Sequence, residues 1–116
     1  MTAEPEIEVR ARRTRPYGAV VSLRGEHDIA SLNDVRAALA PLRGHVLVDL
    51  TRCEFIETTV MGALIGKSIE PESTVELALP PEGSEAARAI EVFGLVERLG
   101  VDEPAAASAS TPNAAL

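Results

Sequence analysis

The chain has 116 residues, enough for one domain with a single core. At 46% hydrophobic and 25% charged it has the composition of an ordinary folded globule, and its apolar runs are too short to cross a membrane as helices. A net charge of −7 and 3% aromatic residues argue against direct nucleic-acid binding, which needs clustered cations and stacking rings.

Ile7, Val9 and Ala11 alternate with Glu8, Arg10 and Arg12, the period of a half-exposed edge strand. Arg13-Thr14-Arg15-Pro16 turns the chain, and Tyr17 to Leu23 forms a second strand that pairs antiparallel with the first. Gly25-Glu26-His27-Asp28 reads as a loop. Ser31 opens a helix as its N-cap, with Asp34 three residues on, and Leu32, Val35, Leu39 and Leu42 make one apolar stripe.

His45 to Leu50 is a strand buried on both faces, of the kind found between parallel neighbours. A loop then carries Cys53 to Ile56. Val60 to Ile69 is a second helix, apolar over most of its circumference and expected to be short and the most buried. Gly62 and Gly66 within it permit close approach of the sheet or a partner. Val75, Leu77 and Leu79 alternate as a further strand. Ser84 caps a third helix, with Ala86, Ala89, Ile90 and Phe93 inward and Gly94 at its end, and Val96 to Val101 adds a short turn or helix.

The order strand, strand, helix, strand, helix, strand, helix predicts an α/β domain over residues 6–101. Its two strand–helix–strand crossovers require parallel pairing, so the sheet is mixed, with four to five strands and helices packed on it. Residues 102–116 are small, polar and proline-containing and are expected to be a disordered tail.

No catalytic constellation stands out. Cys53 is the single cysteine, and His27 and His45 lie far apart, so no metal-ligand spacing arises. Asp49 and Glu54 near the end of the buried strand read as strand-end acids, and no glycine-rich phosphate cradle precedes a helix. The first fifteen residues are charged and begin with acids, which does not read as a secretory signal and points to the cytoplasm. The informative stretch is Val46 to Gly66, where a buried strand leads through Glu57-Thr58-Thr59 into a helix. Thr58 or Thr59 there serves as a cap, or offers an exposed hydroxyl whose phosphate would meet free N–H groups and the positive helix end.

These residues resemble a STAS domain, the fold of bacterial anti-sigma factor antagonists. The family's Gly-Glu-Leu-Asp-like motif stands here as Gly25-Glu26-His27-Asp28. Its buried strand leading into Asp-Ser-Ser-Gly-Leu-Gly stands as Val48-Asp49-Leu50, then Phe55-Ile56, then Glu57-Thr58-Thr59-Val60-Met61-Gly62. Its late apolar residue before Gly-Leu stands as Phe93-Gly94-Leu95, so the likeness spans residues 6–101.

The resemblance implies a binding protein, not an enzyme, without cofactor or metal. Its partner would be an anti-sigma factor with a kinase-like ATPase domain, released when Thr58 is phosphorylated. Gly25, Asp28, Glu57, Thr58, Thr59, Val60 and Met61 would gather as the partner surface. Glu57 for Asp, Val60 for Gly, Met61 for Leu and His27 for an apolar residue depart from the pattern. They keep open an alternative: a STAS scaffold that no kinase modifies, or an accessory subunit of a nucleotide-binding or transport assembly.

Overall fold

A computed structural model of the chain describes residues 3–12 and 18–101. The expected turn at Arg13–Pro16, the first residue of the second strand and the expected tail lie outside the described residues. Strand β1 (Glu6–Arg12) pairs antiparallel with β2 (Gly18–His27), with Ile7 opposite Leu23 and Ala11 opposite Ala19. Helix α1 (Leu32–Leu39) crosses to β3 (Gly44–Asp49), which lies parallel to β2. Strand β4 (Cys53–Ile56) leads into α2 (Thr58–Ser68), and β5 (Ser73–Ala78) adds parallel to β3. Helices α3 (Glu85–Phe93) and α4 (Leu95–Arg98) precede β6 (Gly100–Val101), parallel to β5. The sheet order is β1-β2-β3-β5-β6, with β4 paired to β2 off that path.

The register explains the layering. Val21 stands beside Val48, and Val48 beside Leu77, so one face of three adjacent strands is continuously apolar. Leu32, Val35 and Leu39 of α1, Val60, Met61 and Leu64 of α2, and Ala86 and Ile90 of α3 close over that face in a single core. The alternate positions carry Glu6, Glu8, Arg10 and Arg12 along β1, as an edge strand requires.

Two strands go beyond the sequence reading. The Gly25-Glu26-His27 stretch is not a loop but the end of a ten-residue β2, and the stretch from Cys53 to Ile56 is its parallel partner. Strand β2 leaves β3 after Ser22 and takes up β4 at Gly25, and the β2–β4 register shifts between Gly25 and Glu26. Strand β6 has two residues, too few for any alternation to register. Helix α2 is not short: its eleven residues make it the longest helix among the described residues. Ile69 leaves the apolar stripe as the C-cap residue and is 79% exposed, and Leu79 lies beyond the end of β5. The two glycines of α2 are exposed, and a Cβ on either would meet nothing within 4 Å, so neither admits a close neighbour within the chain.

Candidate functional site

The junction of β4 and α2 is built by strand pairing. His27 stands opposite Ile56, and the Glu57 N–H donates to the His27 carbonyl at 2.9 Å. The chain leaving β2 and the chain leaving β4 therefore depart side by side, so Asp28 follows the strand end that holds the Glu57 turn. The Asp28 carboxylate accepts from the Ala30 N–H at 2.8 Å and its carbonyl from the Ser31 N–H at 3.1 Å, folding the approach to α1.

Glu57 is the N-cap of α2, with extended φ −85° and ψ 156°, and its carbonyl accepts from Val60 N–H at 3.0 Å and Met61 N–H at 3.1 Å. Neither threonine caps the helix; both lie inside its first turn. The Glu57 carboxylate does not cap either, but accepts from the Thr59 hydroxyl at 2.7 Å. Thr58 and Thr59 are both exposed, and among the described residues the side-chain bond at this turn belongs to Thr59. The N–H groups of Thr58 and Thr59 precede the first intrahelical bonds, at the positive end of the helix. An anion on the Thr58 hydroxyl would sit in that field, beside a carboxylate that opposes it.

The expected partner residues divide. Asp28, Glu57, Thr58 and Thr59 have surface to offer. Val60 is 0% exposed and Met61 1%, both part of the core, so as direct contacts they are corrected to supports from below. The helix phase decides this, because Val60, Met61 and Leu64 share the inward stripe. Gly25 is corrected as well. It is buried with φ +79°, and a Cβ there would meet the Glu4 carbonyl oxygen at 2.2 Å. The segment before β1 runs across it, with the Glu26 N–H donating to Ala3 O at 3.1 Å. Gly25 permits that crossing and is covered by it.

Other residues join the site from α3. An apolar groove beside Thr58 is lined by Phe55, Met61, Ala89, Val92 and Phe93, with Val92 83% exposed. Only the packing of α3 on β4 brings them there, and no local pattern signals it. Cys53 is no nucleophile: burial pushes its thiol up to about 11, while its S–H donates to Phe55 O at 3.3 Å. Among the described residues no three metal-ligating side chains come together. No helix there is long and apolar enough to cross a membrane.

No family model and no curated protein matches the sequence. Solved structures match the fold. An anti-sigma factor antagonist from Mycobacterium paratuberculosis superposes with a TM-score of 0.62 at 21% identity, covering 87% of this chain and 89% of that one. The unphosphorylated form of the anti-sigma factor antagonist SpoIIAA gives 0.62 at 18% identity, covering 95% and 97%. An anti-sigma factor antagonist STAS domain from Rhodobacter sphaeroides gives 0.50 at 19% identity, covering 72% and 94%. The chain has the STAS fold of these anti-sigma factor antagonists.

Proposed function

We propose that this protein is an anti-sigma factor antagonist: it binds an anti-sigma factor in the cytoplasm, frees a sigma factor, and is switched off by phosphorylation of Thr58. The observation that carries the reading is the exposed Thr58 at the first position of α2, in the fold that solved antagonists share. The partner is an anti-sigma factor with a kinase-like ATPase domain, whose nucleotide supplies the phosphoryl group. The groove lined by Phe55, Val92 and Phe93 gives it apolar footing beside the hydroxyl.

The burial of Val60 supports this reading over the unmodified scaffold. Its branched side chain adds volume to the core and leaves the approach to Thr58 clear. Phosphate adds about −1.5 to −2 charges at pH 7, which the helix N-terminus offsets within the domain. At a docked surface the same group is desolvated beside Glu57. Both groups are on this chain, so their repulsion over ~6 Å favours release only by its rise on docking. That repulsion rises from about 1 to about 3 kcal/mol per unit charge as the effective dielectric falls from about 50 to about 20. A hundredfold release is about 2.7 kcal/mol, so charge, desolvation and bulk together suffice without refolding.

The test is incubation with the cognate anti-sigma kinase and ATP. One phosphate is expected, abolished by Thr58→Ala and only reduced by Thr59→Ala, which removes the bond that holds Glu57. Phosphate mapped to Thr59, or undiminished in Thr58→Ala, rejects the assignment.

A further inference from the structure

His27 is the buried titratable group that the switch at Thr58 leaves unused. It is 0% exposed, at the end of β2, where the resembling motif places an apolar residue. Its ring is nonetheless fully engaged. Nε2 lies 2.9 Å from the Arg24 carbonyl oxygen and 3.3 Å from that of Glu6. Carbonyls only accept, so Nε2 carries a hydrogen and shares it between β2 and β1. Nδ1 lies 3.0 Å from the Ser31 hydroxyl, which explains why Ser31 makes no side-chain cap for α1. The backbone carbonyl of the same residue holds the Glu57 N–H at 2.9 Å, one residue before Thr58.

We propose that His27 is a positioning residue for the Thr58 turn: its imidazole gathers β1, β2 and α1 onto the strand end whose carbonyl fixes Glu57, and protonation of the ring rearranges the bonds beside that turn. An apolar residue of similar bulk could fill the space but supply none of the three bonds. The Ser31 hydroxyl, also 3.2 Å from the Asp28 carbonyl, gives the ring a partner in both protonation states. With the neutral ring, Ser31 donates its hydrogen to Nδ1. With the cation, Nδ1–H donates to Ser31, whose hydrogen turns to the Asp28 carbonyl. Protonation therefore rearranges bonds at Asp28, the residue that leaves β2 beside the Glu57 turn.

Burial pulls the His27 pKa below its usual 6.5, against the upward pull of the Arg24 and Glu6 carbonyls and of the Asp28 charge. The unfolded chain thus takes up this proton first as pH falls. The stabilisation is complete above 6.5 and is lost as pH falls from there through the folded value. The charged residues on the surrounding elements are Glu6 on β1, Arg24 and Glu26 on β2, Asp28 and Asp34 at the start of α1, and Glu57 before α2. A window from about pH 7.5 to 5 covers the ordinary imidazole range and lies above the ordinary carboxylate range, and the ring signals of the other histidine, His45 on β3, are followed separately.

The consequence for signalling rests on the Thr58 reading, but the test does not need it. NMR titration of the unmodified full chain should show the Glu57 and Thr58 amides moving with the same midpoint as the His27 ring. His27→Gln keeps a donor and an acceptor without titrating, so the amides should keep their pH 7 positions and lose the pH dependence. His27→Leu should raise amide exchange at Glu57, whose N–H is held by the residue 27 carbonyl, about tenfold at every pH, the scale of one lost hydrogen bond. Amides that ignore the His27 midpoint, or a pH dependence that persists in His27→Gln, overturn the proposal. A kinase that spares Thr58 would reject the function alone and leave these amide measurements standing.

Discussion

The two ends of α2 are held in different ways. At the C-terminal end Lys67, only 2% exposed, reaches back with its Nζ to the Leu42 carbonyl at 2.6 Å and to Glu70 at 3.0 Å. That bond spans twenty-five residues and ties α2 to the chain leaving α1. At the N-terminal end the side-chain bond runs between Thr59 and Glu57, two residues apart on the surface. Among the described residues the polar anchor of that end to the sheet is backbone, through Glu57 N–H and the His27 carbonyl, above the buried Val60 and Met61. The helix is thus pinned at one end and presented at the other. Polar side chains secure the fold where they reach across it, and stay available for chemistry where their bonds are local.

Val60 probes this division most strongly, because it lies beneath the presented end. Val60→Gly removes a fully buried branched side chain and adds glycine's helical cost, for a loss of about 2–4 kcal/mol. Thr58→Ala, at an exposed position, should change stability by less than about 0.5 kcal/mol. Urea unfolding of the two variants measures the contrast directly. A Val60→Gly protein as stable as the parent would mean that the underside of this end carries no packing role.

Lys67 tests the pinned end. Lys67→Ala strands the Leu42 carbonyl and removes the packed stem, for a loss of about 1–3 kcal/mol, while the proposed phosphorylation at Thr58 should be unaffected. Lys67→Met keeps most of the stem and isolates the polar part. If Lys67→Ala impairs modification of the folded protein, the two ends are coupled and the division fails.

How much of this was legible in the sequence follows from the range of each interaction. Helix α3 was readable because its signals are local: the Ser84 hydroxyl accepts from Ala87 N–H at 3.1 Å, and Gly94 ends the helix at φ +79°. The β1–β2 pairing was readable from alternation. Strand β4 was not, because four residues carry little period and a register shift interrupts its pairing with β2. Ser31 has the chemistry of a cap, yet His27 claims its hydroxyl through the tertiary fold. Glu57-Thr58-Thr59 was correctly placed at a strand–helix junction, but which residue caps is set by the backbone angle at Glu57. The surface role given to Val60 failed on helix phase, which the packing of α2 against the sheet alone decides.

The smallest expected effect lies between the two ends. Gly62 and Gly66 face outward over a groove that Arg36, Leu39 and Ala40 of α1 and its C-cap share, and neither has a neighbour where a side chain would begin. Inside the chain they bring only the propensity cost of glycine in a helix, about 1 kcal/mol each. Gly66→Ala should therefore raise the unfolding free energy by up to about 1 kcal/mol, read as a higher urea midpoint at constant slope, since no new contact forms and the unfolded chain loses freedom. Gly62→Ala, one turn after Thr58, should do the same and leave the rate of phosphorylation unchanged. A gain in stability accompanied by weaker binding of the anti-sigma factor would show that the partner's backbone comes close over these glycines. The presented region would then extend from the first turn to the middle of α2, and the boundary with the pinned end would fall near Lys67.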